Sequence, residues 1–280
     1  MTMSSTHTGG ADAPAAPIAF RELLPSPGGT DVDLAAAYAY PEFLNRPWIR
    51  ANMVASADGG AIGPSGRSKD LSSSPDRKVM GVLRGLCDVV LVGAATVRLE
   101  EYGPVRARRT WEGLRTGRPS TPAVAVVSRS LGLPEPLLTE APEDARTLVF
   151  TTADSPERRR REVAEYADVV VIDGASVTPA HVVNGLAERG LYRVLTEGGP
   201  HLLAEFVAAG LLDDLCLTLS PHLLGSGAPR IVAGGPDTPG APDRASAQST
   251  PVRMAHLLES EGSLFARYLR EEGSLRGTQR

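Results

Sequence analysis

Seven short runs of apolar and β-branched residues, separated by longer stretches, constrain this chain more than any other feature. They are 48-WIRANMVA-55, 88-DVVLVG-93, 122-PAVAVVS-128, 147-TLVFTT-152, 168-DVVVID-173, 192-YRVLTE-197 and 214-DLCLTLS-220. Several are apolar at consecutive positions rather than at every second one, as a strand covered on both faces requires. The stretches 74-SPDRKVMGVLRGL-86, 155-SPERRRREVAEY-166, 178-TPAHVVNGLAER-189 and 200-PHLLAEFVAAG-210 predict helices. The first two open on Ser-Pro, a capping residue followed by proline in the first turn, and the last closes on glycine. Strand-helix alternation of this kind predicts an α/β fold with a mainly parallel central sheet and helices on both faces. The chain ends differently: 252-VRMAHLLESEGSLFARYLR-270 holds two extended runs around 260-SEGS-263, the pattern of an antiparallel hairpin closing the sheet edge.

Residues 1–20, dominated by Ala, Gly, Thr, Ser and Pro, carry too little hydrophobicity to order themselves, so a disordered tail is expected there and a single domain over 21–280. The Gly-, Pro- and Ser-rich stretch 234–251 reads as a mobile surface loop. A second long connection, 102–122, carries Arg106, Arg108, Arg109, Arg115 and Arg118; a structureless loop that long is disordered or functional. The net charge of −4 is spread along the chain and the only basic stretch, 157-ERRRRE-162, reads as a solvated helix face, so no nucleic-acid partner is expected. No basic-then-apolar leader and no apolar run of about 20 residues is present, which excludes a membrane-spanning helix and points to the cytoplasm. Cys87 and Cys216 lie in apolar surroundings and are expected as reduced, buried thiols.

The common fingerprints are missing. There is no G-x-G-x-x-G, G-x-x-x-x-G-K-[ST] or G-x-S-x-G, and the five histidines lack the spacing of a metal site, so no metal is expected. Three junctions remain, all at the C-terminal ends of expected strands, where open α/β sheets gather their ligands. In 52-NMVASADGG-60 a strand runs into Ser56, Asp58 and two glycines, which read equally as an ordinary Asp-Gly turn. In 91-LVGAATVRLEEYGPVR-106 the small Gly93, Ala94 and Ala95 let backbone approach a ligand, and Thr96 stands at a helix or turn start where phosphate binds. In 194-VLTEGGPHLLAEF-206, Glu197, Gly198 and Gly199 stand at the mouth of a helix. One glycine suffices for such a turn, so the second marks either a tighter turn or a ligand against backbone amides.

Taken together and in order, S-x-D-G, G-A-x-T with an acid four residues on, E-G-G-x-x-L, L-x-D-D-L and P-x-L-L-G resemble the reductase domain of the bifunctional riboflavin-biosynthesis deaminase-reductase, over about residues 48–270. The resemblance implies a dihydrofolate-reductase-like fold and a stand-alone enzyme. It implies NADPH as cofactor and, as substrate, a ribosylamino-pyrimidinedione 5′-phosphate whose ribosyl chain is reduced to ribityl. A homodimer is implied too, with the apolar segment 215–225 available to build it. Alternatives on the same fold are a dihydrofolate or pterin reductase, which sets a carboxylate beside the pterin, and a catalytically silent NADP-binding module.

By the same resemblance, cofactor contacts fall on Val54, Asp70, Thr96, Glu100 and Ser128 and on the run Gly199, Pro200, His201, Leu202, Leu203, Ala204 and Glu205, flanked by Gly198. Gly93 belongs with them as a point of close backbone approach. Arg129, beside Ser128, is our own assignment for the adenosine 2′-phosphate. Substrate contacts fall on Ser68, Arg84, Pro104, Arg106 and Glu197, with arginine suited to the 5′-phosphate. Asp58 and Glu197 are the ionisable catalytic candidates, Asp58 being preferred for the proton. Two departures stand out. The first 45 residues hold no H-A-E or P-C-x-x-C element, so no deaminase activity is expected, and Asp70 stands where some relatives carry an aromatic residue.

Overall fold

The strand Val89–Gly93 shows how the sheet is built. Val90 and Val92 enter one hydrophobic cluster and Val89 and Leu91 another, so successive residues serve opposite faces and no polar position is tolerated. The coordinates, a computed structural model, describe residues 18–25, 32–233 and 249–271. Along the chain, β1 (Arg21–Leu24) and α1 (Leu34–Ala37) precede β2 (Trp48–Ser56), α2 (Ser74–Leu86), β3 (Val89–Gly93) and α3 (Ala94–Leu99). Next come β4 (Ala123–Val127), α4 (Glu135–Thr139), β5 (Leu148–Thr152), α5 (Glu157–Ala164), β6 (Asp168–Ile172) and α6 (Pro179–Ala187). The last elements are β7 (Arg193–Thr196), α7 (Pro200–Ala208), β8 (Asp214–Ser220), β9 (Val252–Ser260) and β10 (Ser263–Arg270).

Among the described residues these strands form one sheet in the order β1-β9-β10-β8-β2-β7-β3-β4-β5-β6. From β8 through β6 every pairing is parallel; β10 joins β8 antiparallel and pairs with β9 as the expected hairpin. Helices α2 and α3 cover one face through Val79, Leu83 and Val97, and α6 and α7 the other through Val182, Leu186, Leu202 and Phe206.

All seven expected strands and four expected helices form. The hairpin is not the outermost element, because β1 pairs outside β9. Residues 1–17 of the expected tail and 234–248 of the expected loop lie outside the described residues. Residues 18–20 belong to the fold: Phe20 is buried with its ring edge-on to Phe265 at 5.3 Å. The segment 215–220 is the interior strand β8, which leaves the loop beyond it, with Leu223 80% exposed, as the apolar part open to a partner.

The connection 102–122 is not structureless. Trp111 is buried, and the side chains of Arg115 and Arg118 donate to the carbonyls of Gly85 and Cys87 and of Leu86 and Cys87 at the end of α2. These carbonyls have no partner within the helix and lie at its negative end, which accounts for Arg115 and Arg118 among the arginines of this loop.

Within β9 His256 is buried, edge-on to Tyr38. Burial, with the nearby Arg267 guanidinium, pushes its pKa down to about 4. Between its ordinary value of 6.5 and that point, the unfolded chain takes up a proton that the folded chain refuses. Stability should therefore be complete above about pH 6.5 and fall by about 2–3 kcal/mol as the pH drops through 4. Urea unfolding of the protein and of His256→Phe across this range checks it, the variant losing that part of the slope.

Candidate active site

The C-terminal ends of β2, β7 and β3 converge on one place, and α2 brings a side chain to it. Arg84, in the last turn of α2, meets Glu197, just past the end of β7 and 113 residues away in sequence. The guanidinium forks onto the carboxylate, Nε to Oε1 at 2.7 Å and Nη2 to Oε2 at 2.6 Å. The hydroxyl of Tyr102 donates to the same Oε2 at 2.7 Å. Burial alone would raise the carboxyl of Glu197, but the Arg84 charge and the hydrogen bonds from Arg84 and Tyr102 outweigh it and hold the group below the usual carboxylate range. Burial likewise acts against the charge on Arg84, and Glu197 more than restores it.

This ion pair stands between two cavities. The first, of about 420 Å³, is walled by Asn52, Met53 and Val54 of β2, Asp76 and Met80 of α2, Tyr102 and Glu197. The second, of about 700 Å³, is walled by Arg106, Arg108, Trp111, Pro136 and Glu140. Arg84, Gly103 and Pro104 line both. The Nη1 of Arg84 has no hydrogen-bond partner among the described residues, which leaves its donors for whatever enters.

Of the residues expected to touch substrate, Ser68, Arg84, Pro104 and Glu197 line the first cavity and Arg84, Pro104 and Arg106 the second. Val54 and Glu100, expected at the cofactor, line the first as well. Glu100 accepts from the backbone and hydroxyl of Ser68 at 2.8 and 2.9 Å, tying the loop before α2 to the end of α3. Arg106 is exposed and paired with Glu140.

Asp58 and Asp70 line neither cavity. Asp70 accepts from the backbone and hydroxyl of Ser65 and closes its own loop. Asp58 accepts from the Ser56 hydroxyl at 2.5 Å and from the amides of Gly225 at 2.7 Å and Leu224 at 3.0 Å. The Ser56 hydroxyl and these amides hold its carboxyl below the ordinary carboxylate value. Bonded in this way, Asp58, the residue expected to deliver a proton, tethers the loop at Leu224 and Gly225 outside both cavities. Glu197 is engaged on both oxygens and clamps Arg84.

The remaining expected cofactor residues form a second group around the double glycine. Gly198 has φ +89°, a backbone conformation that other residues rarely adopt. The Gly93 amide donates to the Gly198 carbonyl at 2.9 Å, bringing the end of β3 against this turn. A Cβ on Gly199 would stand 2.5 Å from the Thr96 hydroxyl oxygen. The two glycines therefore answer different demands, left-handed backbone at the first and close approach at the second. Gly199 gives α7 no side-chain cap, so its first-turn amides are left for another acceptor. Leu202 and Leu203 point into the core and offer a ligand only backbone, and Ala204 and Glu205 lie beyond the first turn. At the end of β4 the buried Ser128 accepts from the Leu131 amide, while Arg129 is exposed.

A methyl group added at Gly199 should destabilise the protein by about 1–3 kcal/mol through the Thr96 contact. Gly103→Ala, where nothing lies within 4 Å of the new atom, should change stability by no more than about 0.5 kcal/mol. Chemical unfolding of the two variants compares them directly.

Among the cavity residues that escaped the sequence reading are Asn52, Asp76 and Tyr102. Asp76 looks like an acid in the first turn of a capped helix, and Tyr102 like a loop residue before Gly103-Pro104. Only the tertiary arrangement turns them inward.

A two-sided, mostly parallel sheet with paired cavities at its C-terminal strand ends defines a small-molecule site of the α/β class. The chain belongs to the RibD C-terminal domain family, whose model matches residues 47–253. It is 28% identical over 187 residues to the 2,5-diamino-6-ribosylamino-4(3H)-pyrimidinone 5′-phosphate reductase of Archaeoglobus fulgidus, covering 64% of this chain and 83% of that protein. It is 28% identical over 190 residues to the riboflavin biosynthesis protein RibD of Bacillus amyloliquefaciens, spanning 67% of this chain and 49% of that longer one. Among solved structures, a pyrimidine reductase-like protein from Corynebacterium diphtheriae superposes with a TM-score of 0.71 at 26% identity, over 80% of this chain and 92% of that one.

Proposed function

We propose that the protein is an NADPH-dependent reductase that acts on a ribosylamino-pyrimidine 5′-phosphate in riboflavin biosynthesis. The observation that carries this reading is Arg84, fixed by Glu197 and Tyr102 with one nitrogen unpartnered, in the wall shared by the two cavities. A ligand with a ring and a phosphate suits that layout, the ring in the first cavity and the phosphate in the second. There Arg84, Arg106 and Arg108 outnumber the single carboxylate of Glu140. The names of the family's relatives support the same substrate class.

The double-glycine turn fits a dinucleotide. Gly93, Thr96, Gly198 and Gly199 pack closely together at one spot, and the uncapped start of α7 would supply amides for a pyrophosphate. Ser128 and Arg129 would take the adenosine end. NADPH supplies the hydride when bound; the chain's own residues hold substrate in place. Arg84 and Arg106 bind the phosphate, Glu197 and Tyr102 fix Arg84, and Met53, Val54 and Met80 wall the ring pocket with apolar surface. The same reading includes one domain over 21–280, a cytoplasmic location and a homodimer, the last of which sedimentation checks.

The test is turnover. Purified protein is offered the pyrimidine phosphate or dihydrofolate with NADPH or NADH, and loss of the reduced cofactor's absorbance is followed. Pyrimidine-dependent oxidation with NADPH preferred is expected. Oxidation with dihydrofolate alone would make the protein a pterin reductase, and absence of any thermal shift with NADPH would remove the cofactor assignment.

A further inference from the structure

Arg84, the side chain on which the proposed function rests, hangs from a helix end that the helix itself does not close. α2 runs into Cys87 with extended backbone, φ −83° and ψ 162°, rather than into the left-handed residue that closes many helices. Its last carbonyls are met from the 102–122 connection instead. Arg115 donates from Nη1 to the Cys87 carbonyl at 2.5 Å, with the Gly85 and Arg84 carbonyls at 3.3 and 3.4 Å. Its Nε donates to the Pro119 carbonyl of its own loop at 2.7 Å. One guanidinium thus ties the loop to the turn that carries Arg84. Arg115 is 5% exposed and lines neither cavity. Burial, with Arg118 beside it, works against its charge. Arg118 has a carboxylate to answer it, Asp88 Oδ1 at 3.0 Å. A cation buried against carbonyls costs more than an apolar side chain of the same length, which makes stability alone a poor account of Arg115.

The same contact shapes the second cavity. A Cβ on Gly81 would stand 2.6 Å from Arg108 Nη1, and one on Gly85 2.8 Å from Trp111 Cδ1. These glycines are four residues apart on α2 and so share a face. They let the loop lie closely against the helix, and Arg108 and Trp111, which wall the second cavity, lie at that contact. The loop, the last turn of α2 and the Arg84 guanidinium, held at its far end by Glu197, are therefore one connected arrangement.

We infer that Arg115 is a positioning residue for the phosphate end of the substrate. By capping α2 from the loop, it sets where Arg84 stands between the two cavities and how closely Arg108 and Trp111 wall the second. This rests on the proposal that the second cavity takes the substrate's phosphate. A displaced last turn moves the Arg84 guanidinium, and forked recognition of a phosphate tolerates little displacement. Among the described residues, neither the β2 wall of the first cavity nor the start of α7 receives a hydrogen bond from Arg115, so ring and cofactor should be affected far less.

Arg115→Met keeps most of the side chain's length and removes its donors. Binding of ribose 5-phosphate and of NADPH is measured by calorimetry on the full chain and on the variant, at a temperature where thermal unfolding shows both folded. KM and kcat with the pyrimidine phosphate are followed in parallel. Arg115→Met should weaken ribose 5-phosphate binding and raise KM by about 10- to 100-fold. kcat and NADPH affinity should stay within about 3-fold of the parent's. Arg115→Lys, which restores a donor but not the fork, should lose only about 2- to 5-fold. Asp214→Ala, a disruptive change at the start of β8, should leave ribose 5-phosphate binding as it is. Four results would overturn the inference: unchanged ribose 5-phosphate binding in Arg115→Met, an equal loss of NADPH, an equal loss in Asp214→Ala, or Arg115→Lys no better than Arg115→Met. If Arg115→Met does not fold, Arg115→Lys decides, and binding equal to the parent's overturns it. Turnover of the pyrimidine phosphate with KM unchanged in folded Arg115→Met removes the role of Arg115 and leaves the reductase reading intact. Weakened ribose 5-phosphate binding in a protein that reduces no pyrimidine phosphate keeps Arg115 in its role and removes the reductase reading. Failure of the parent to bind ribose 5-phosphate removes the phosphate cavity and this inference with it.

Discussion

Glu197→Ala is expected to lower the unfolding free energy by about 3–5 kcal/mol and to raise KM for the pyrimidine phosphate far more than it weakens NADPH binding. Removing the carboxylate leaves the Arg84 guanidinium in a site only 20% exposed, with its Nε and Nη2 donors unmatched. Breaking one half of a buried pair costs about that much because the other charge stays behind without a partner. The Tyr102 hydroxyl loses its acceptor as well. Two comparisons separate clamp from charge. Glu197→Gln keeps an acceptor for one donor and should retain part of the stability, and the double change Arg84→Met with Glu197→Met, which strands no charge, should be more stable than Glu197→Ala. Substrate and cofactor affinities measured on folded protein decide the functional half. A variant that loses NADPH but keeps normal KM for substrate would show that Glu197 serves the cofactor side of the turn.

Asp214→Ala should destabilise the fold by a similar amount, about 3–5 kcal/mol, and leave the site untouched. Asp214, at the start of β8, is fully buried and accepts from Arg50 Nε at 2.8 Å and from Arg267 Nη2 at 2.8 Å. Both guanidiniums are otherwise spent on backbone, Arg50 on the Tyr38 carbonyl and Arg267 on those of Ala37 and Ala39. Without the carboxylate, two buried cations face each other across β2, β8 and β10. The cluster sits at the N-terminal strand ends, opposite the cavities, so kcat and KM below the lowered melting temperature should match those of the parent protein. A change in KM at full folding would mean that the two ends of the sheet are coupled.

The central sheet was legible because its signals are local. The apolar runs at 89–92 and 123–127 report two covered faces without reference to any other segment, and Ser73 followed by Pro75 announces α2. The short elements β1, α1 and α4 gave no such signal. The outline of the cavity was also legible, since the family resemblance groups Arg84, Glu197, Ser68 and Pro104, all of which line it. The roles were less so. Asp58 and Glu197 looked alike as acids at strand ends, and which one is tethered to a loop and which clamps an arginine depends on neighbours more than 100 residues away.

By itself, the sequence determined the alternation of strands and helices, the parallel centre with its antiparallel end, and the motifs that define the family. The tertiary structure alone decided the pairing of Arg84 with Glu197 and Tyr102, the tether of Asp58 and the place of Asp76 in the cavity wall. The physical reason is the same each time. Backbone period and capping act over a few residues, whereas the state of a charged group is set by its burial and by the partner that folding brings to it.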